Sequence, residues 1–153
     1  MTNPIESLLA TQQELNDLLP NKPTLENLKI ALLDELGEVT HLIKPTWAWW
    51  KRYGKDFPQI DNEKLAEELS DILHFALTMC LMFHISEDSL KSALTTQIEN
   101  PLENILEGII STNCFLLISS IVSYSQTLGV DLPTLLDAYY KKVIENKARF
   151  TTH

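Results

Sequence analysis

Leu28-Lys-Ile-Ala-Leu-Leu-Asp-Glu-Leu-Gly-Glu-Val-Thr-His-Leu-Ile43 and Leu65-Ala-Glu-Glu-Leu-Ser-Asp-Ile-Leu-His-Phe-Ala76 are the two stretches that decide the fold of this chain. Each repeats its apolar residues at helical spacing, and each carries two acids three residues apart: Glu35 with Glu38, Glu68 with Asp71. With Glu35 at 0° and a step of about 100° per residue, Glu38 lies near 300°, and Leu28, Leu32, Leu36, Val39 and Ile43 lie between about 20° and 100°. With Glu68 at 0°, Asp71 lies near 300°, Leu65, Leu69, Ile72, Leu73 and Ala76 lie between about 40° and 140°, and Phe75 lies near 340°. A solvated acidic face would sit opposite the apolar stripe; here the acids flank it in both helices. Two such helices packed side by side point four carboxylates at one spot.

Four bare carboxylates repel one another unless cations lie between them. Oxygen ligands without cysteine suit Mg²⁺ or Mn²⁺. Magnesium held by protein carboxylates usually shares its shell with water and substrate phosphates, so the pattern predicts phosphate chemistry on a nucleotide or a similar ester.

The 153 residues suit one domain, residues 1–153, with one core, and a hydrophobic content of 44% is ordinary for a soluble globular protein. Twelve Lys and Arg against 21 Asp and Glu give a net charge of −9, which argues against a general nucleic-acid surface. An acidic protein still binds polyphosphate where bound metal inverts the local field. Cys80 and Cys114 lie in apolar helical runs and read as buried free thiols. The N-terminal Met-Thr-Asn-Pro-Ile-Glu is not a signal peptide, so the cytoplasm is the default location.

No sustained period-2 run appears, and helical periods dominate. A first helix is expected over about Asn3 to Leu19, and a second after a Thr24 cap to Ile43. A long connection, Lys44 to Ile60, holds Pro45, Gly54 and Pro58. A third helix, capped by Asp61 or Asn62, reaches His84, and Ser86-Glu-Asp88 opens a short helix near Leu90. After Asn100-Pro101 a single helix is expected from Leu102 to Leu128, ended by Gly129. Asp131 caps a last one reaching Arg149. Gly108 to Val130 holds no charged residue. That is long enough to span a bilayer, but its many Ser, Thr and Asn residues are too polar for a lipid-facing helix. A central place in a dimeric helix bundle, with no membrane, is the expectation.

The connection gathers all three tryptophans, Trp47, Trp49 and Trp50, beside Lys51 and Arg52. A tryptophan can stack on a base and a lysine can meet phosphate; a hydrophobic plug over the bundle end is the plain alternative. His74 and Phe75 lie one turn after Asp71. Tyr139, Lys142, Asn146 and Arg149, spaced three, four and three apart, share one helical face. That face reads either as a solvated basic stripe or as a phosphate clamp.

These elements together resemble the dimeric all-α dUTPases, the nucleotide pyrophosphohydrolases related to MazG, over most of the chain. Glu35-Leu-Gly-Glu38 followed by Pro45-Thr-Trp-Ala-Trp-Trp-Lys51 resembles the family's ExxE helix and Pro-Trp-x-Trp-Trp-Lys element. Glu68-Leu-Ser-Asp71-Ile-Leu-His74-Phe75 resembles the second carboxylate pair with its His-Phe. Gln13-Glu-Leu-Asn16 resembles the N-terminal Gln-x-x-Asn, and Tyr139 to Arg149 the C-terminal phosphate-contacting helix. The resemblance implies an all-α, MazG-like bundle of about five to six helices, a homodimer, and hydrolysis of dUTP, and of dUDP, to dUMP. It implies Glu35, Glu38, Glu68 and Asp71 as ligands of Mg²⁺, with Mn²⁺ as a substitute, and Glu35 or Glu38 as the residue that orients or deprotonates the attacking water. Gln13, Asn16, Trp47, His74 and Phe75 would line the uracil and deoxyribose pocket. Lys51, Lys142, Asn146 and Arg149 would bind the phosphates. The sequence is silent on any regulatory protein partner.

Three other readings compete, one of them a non-catalytic binding protein on the same scaffold, against which the intact set of four carboxylates argues. The same fold can act on another nucleotide, such as dCTP or a modified dNTP. A di-iron carboxylate bundle would use Glu38-x-x-His41 and Asp71-x-x-His74, but it needs further acids on two other helices, and the run from Gly108 to Val130 has none.

Overall fold

The structure is a computed structural model that describes residues 5–51 and 59–151. Seven α-helices order the described residues: α1 (Leu8–Asp17), α2 (Leu25–Leu42), α3 (Asn62–Met82), α4 (Glu87–Thr95), α5 (Pro101–Ser111), α6 (Cys114–Thr127) and α7 (Leu132–Thr151), with one 3₁₀ turn at Lys44–Thr46. No strand occurs among the described residues. The protein is all-α, as the periodicity predicts. The expected start of the first helix at Asn3, and Gly54 and Pro58 of the connection, lie outside the described residues.

The starts follow from short polar side chains accepting from orphan backbone N–H groups. Thr24 Oγ1 accepts from Asn27 N at 3.0 Å, and Asn27 Oδ1 accepts from Thr24 N at 3.1 Å, a reciprocal box. Asp61 caps α3, Ser86 caps α4 and Asp131 accepts from Thr134 N at the head of α7. The apolar stripes read from the sequence are the core: Leu28, Leu32, Leu36, Val39 and Ile43 of α2 and Leu65, Leu69, Ile72, Leu73 and Ala76 of α3 are all buried. Cys80 and Cys114 are buried free thiols.

The single helix expected over Leu102–Leu128 is two helices. Thr112 takes a left-handed conformation (φ 57°), Asn113 N donates to Gly108 O at 2.9 Å and Thr112 N to Ile109 O, and Asn113 Oδ1 then accepts from Leu116 N. This is a Schellman stop followed at once by a new N-cap. A threonine does the work usually given to glycine, so the break carries no glycine signal. α5 turns back on α6 as a helical hairpin, and Gly108 permits the close approach: a Cβ there would sit 2.9 Å from Leu117 Cα. No single described helix is long and apolar enough to cross a membrane; α6 and α7 pass such a test only as a pair bent by 110°.

α3 is the axis. It packs against α1, α2, α6 and α7, so polar side chains on almost any of its faces become enclosed. Ser70 and His74 are buried there beside its leucines.

Candidate active site

Glu35 of α2 meets Glu68 and Asp71 of α3 because the two helices pack along their leucine stripes. One carboxylate oxygen from each lies within 4.8 Å of the others. Glu68 is buried; Glu35 and Asp71 are half-buried. Glu38 is outside this trio and exposed. The helical wheel explains the difference: Glu38 lies about 120° from the centre of the α2 stripe, and Glu35 only about 60°. Asp71 lies farther still from the centre of its own stripe, about 150°, but α7 covers it.

Like charge and burial strain this cluster. Burial, then the carboxylates of Asp71, Glu38 and Glu68, push Glu35 up to about 7. Burial likewise raises Asp71 to about 6, against the pull of the Lys142 ammonium 3.7 Å away. Lys142 also bonds Glu67 at 3.2 Å, and Lys64 pairs with Glu68 at 3.1 Å. Three oxygen donors of one sign, close enough to share an ion and costly to ionise together, fit a hard divalent cation such as Mg²⁺ or Mn²⁺. Among the described residues no histidine or cysteine joins the group, which does not favour the di-iron reading.

Beside the trio, a cavity of about 300 Å³ is lined by Glu35 and Asp71 on one side, by Asn16, His74 and Phe75 on another, and by Lys142, Asn146 and Arg149 of α7. Acids, a polar–aromatic wall and a cationic helix thus share one space. A second cavity of about 470 Å³, more apolar, adjoins it through Asn16, Phe75 and Thr78, and Gln13 lines that one. Gln13 is exposed, its amide donating to Asp17 at 2.9 Å. Trp47 and Lys51 line neither cavity. Trp47 Nε1 donates to Thr40 O at 2.7 Å, its ring lies 5.7 Å from that of Trp50, and Trp49 is 86% exposed. Ala48 is the residue of this turn that enters the core, so the tryptophans stay outside it. The Lys51 ammonium lies close enough to Lys44 to hold that lysine below its usual value.

The motif reading passed over Gln12, which lies in the wall of the smaller cavity. It is buried, with Oε1 bonded to His74 Nδ1 at 2.9 Å and to the Tyr139 hydroxyl at 2.8 Å. A signal for it existed: Gln12 follows Leu8 by four residues and precedes Leu15 by three, which puts a polar side chain inside the apolar stripe of α1.

Compared with known proteins, the chain is matched over residues 4–153 by a family model described as dUTPase. No curated protein is similar enough to be matched.

Proposed function

The chain belongs to the dUTPase family, a dUTP diphosphatase hydrolase fold of helices alone, and from that premise we propose how its own residues carry out the reaction. Glu35, Glu68 and Asp71 hold Mg²⁺, or Mn²⁺ in its place, with Glu38 as the fourth carboxylate. Bound there, the ion neutralises phosphate charge and lowers the pKa of water. Glu38, exposed beside Glu35, orients the attacking water. Lys142, Asn146 and Arg149 on one face of α7 bind the phosphates through charge-assisted and amide donors, and Lys51 meets the polyphosphate from the Trp loop. Asn16, His74 and Phe75 hold uracil and deoxyribose, with Gln13 and Trp47 at the margins. The observation that carries the reading is the sharing of one cavity by the carboxylates, the polar–aromatic wall and the α7 cations.

Residues 1–153 act as one domain, and dUDP is a second substrate. Release of phosphate and pyrophosphate from a panel of dUTP, dUDP, dCTP and the other dNTPs, with Mg²⁺ or Mn²⁺, tests this. Turnover of dUTP and dUDP with dCTP left intact is the expected result. Preferred turnover of dCTP or a modified dNTP would move the specificity and keep the site.

The working unit is a homodimer. α5 buries Ile105 and Ile109 against α6 and exposes a second stripe, Leu102, Leu106 and Ile110, with Ile110 71% exposed. Ile30 and Leu33 of α2 are exposed too, and Lys29 Nζ bonds Ile110 O at 3.0 Å, which joins the two helices. An exposed apolar stripe continuing across two helices supports an interface there. Ile110→Glu should convert a particle of twice the 17.4 kDa chain mass into a monomer in light scattering. A wild-type protein already monomeric at micromolar concentration would end this part of the reading.

A further inference from the structure

A chain of hydrogen bonds crosses the cavity wall, and its polarity is fixed at one end by a backbone carbonyl. Thr78 Oγ1 donates to His74 O at 3.0 Å. That uses its one proton, so its 3.3 Å contact with Asn16 requires the Asn16 amide to donate. Asn16 Oδ1 therefore faces Gln12 and accepts from Gln12 Nε2 at 3.0 Å. Gln12 Oε1 then faces the other way, where it accepts from the Tyr139 hydroxyl at 2.8 Å and from His74 Nδ1 at 2.9 Å. A carbonyl, which can only accept, thus forces the proton onto Nδ1.

Burial and the Lys142 ammonium push His74 down to about 4, so the ring is neutral and carries a single N–H. Nε2 is then a lone pair. It is buried without a hydrogen-bond partner, in a residue that lines the cavity shared with the carboxylates. The Tyr139 ring, 4.4 Å away at 33°, keeps the imidazole from turning. An orphaned acceptor inside a protein is costly and calls for a donor.

We propose that Gln12 and Tyr139 are positioning residues for base selection: they hold His74 as the Nδ1–H tautomer, so that Nε2 accepts the imide N–H of the pyrimidine ring. The inference rests on the proposed function. Uracil carries N3–H and meets the lone pair; cytosine carries an N3 lone pair and leaves two acceptors opposed. Selection against the aminopyrimidine is thus set by a bond network that begins on Thr78, one helical turn beyond His74.

The test is ¹⁵N NMR of the full chain with Mg²⁺, the His74 signals assigned by their loss in His74→Gln, read beside kinetics on dUTP and dCTP. Wild type should show a protonated Nδ1 and an unprotonated Nε2, and dUMP should shift Nε2. Gln12→Met should release the ring toward the Nε2–H form, raise KM for dUTP about tenfold or more, and narrow the preference for dUTP over dCTP at least tenfold. Thr78→Val keeps the shape of the side chain and removes the polarity anchor, so it should mix the tautomers and narrow the same preference even if Gln12→Met does not fold. A protonated Nε2 in wild type overturns the inference, and so does a changed tautomer with an unchanged preference. Wild-type protein that turns over dUTP while failing either arm removes only the inference; wild-type protein that leaves dUTP intact removes the function beneath it.

Discussion

Glu35→Gln should lower Mg²⁺-dependent dUTP turnover by roughly a thousandfold or more, because it removes one of three anionic donors from a site whose work is electrostatic. The same change should make the metal-free protein more stable at pH 8. Glu35 has its pKa raised from 4.5 to about 7 by burial and by its acidic neighbours. Below pH 4.5 it is neutral folded or unfolded and costs nothing. Between pH 4.5 and about 7 the unfolded chain has released this proton while the folded protein still holds it, so wild-type stability falls across that window and levels off above it. Glutamine has no such loss. His74 works in the opposite direction, since its pKa falls from 6.5 to about 4 and stability drains away as pH drops between those values. Both proteins share that loss, so the difference between their melting curves isolates Glu35. Mg²⁺ should raise the wild-type melting temperature more at pH 8 than at pH 6, where protons compete for the ligands, and should do little for the variant. Equal pH profiles for the two proteins, or full activity in the variant, would remove Glu35 from the metal site.

Gly37 and Gly108, the two helical glycines among the described residues, should respond to alanine with opposite signs. Alanine in place of a mid-helix glycine gains about 1 kcal/mol in propensity where space allows. At Gly37 no atom lies within 4 Å of the added methyl, so Gly37→Ala should stabilise by about that amount. At Gly108 the methyl would lie 2.9 Å from both Leu117 Cα and Leu117 N. Those atoms are helix backbone, not the end of a pliant side chain, so α5 and α6 must spread. Overpacking of this kind costs about 1–3 kcal/mol and outweighs the propensity gain. Gly108→Ala should melt below wild type by calorimetry, by up to roughly 8 °C. A Gly108→Ala protein as stable as wild type would mean that the hairpin is looser than its geometry indicates.

Much of this was legible in the sequence. The leucine stripes of α2 and α3 are the core because a 3.6-residue period is a direct consequence of helix geometry. Glu68 and Asp71 join Glu35 because helices packed on adjacent stripes bring their flanks together. What escaped the reading depends on neighbours that a one-dimensional pattern does not record. Asp71 and Glu38 occupy the same wheel position, yet α7 encloses one and solvent surrounds the other. Thr112 breaks a helix from the left-handed region, where a β-branched residue is rare. The motif Gln13-x-x-Asn16 drew attention to Gln13, although Gln12 is the glutamine on the buried face of α1. Tyr139 reads as part of a basic face, but its flanking Leu135, Leu136 and Val143 carry it into the core.

The cavity wall joins residues far apart along the chain: Gln12 with His74, 62 positions on, and with Tyr139, 127 positions on. The α5–α6 hairpin, by contrast, closes over two residues. Loop-closure entropy makes local contacts the quick ones and distant contacts the slow ones. During folding the helical hairpins can therefore be complete while this cavity does not yet exist. Competence asks for more than compact hairpins: the first and last helices must both be docked on α3.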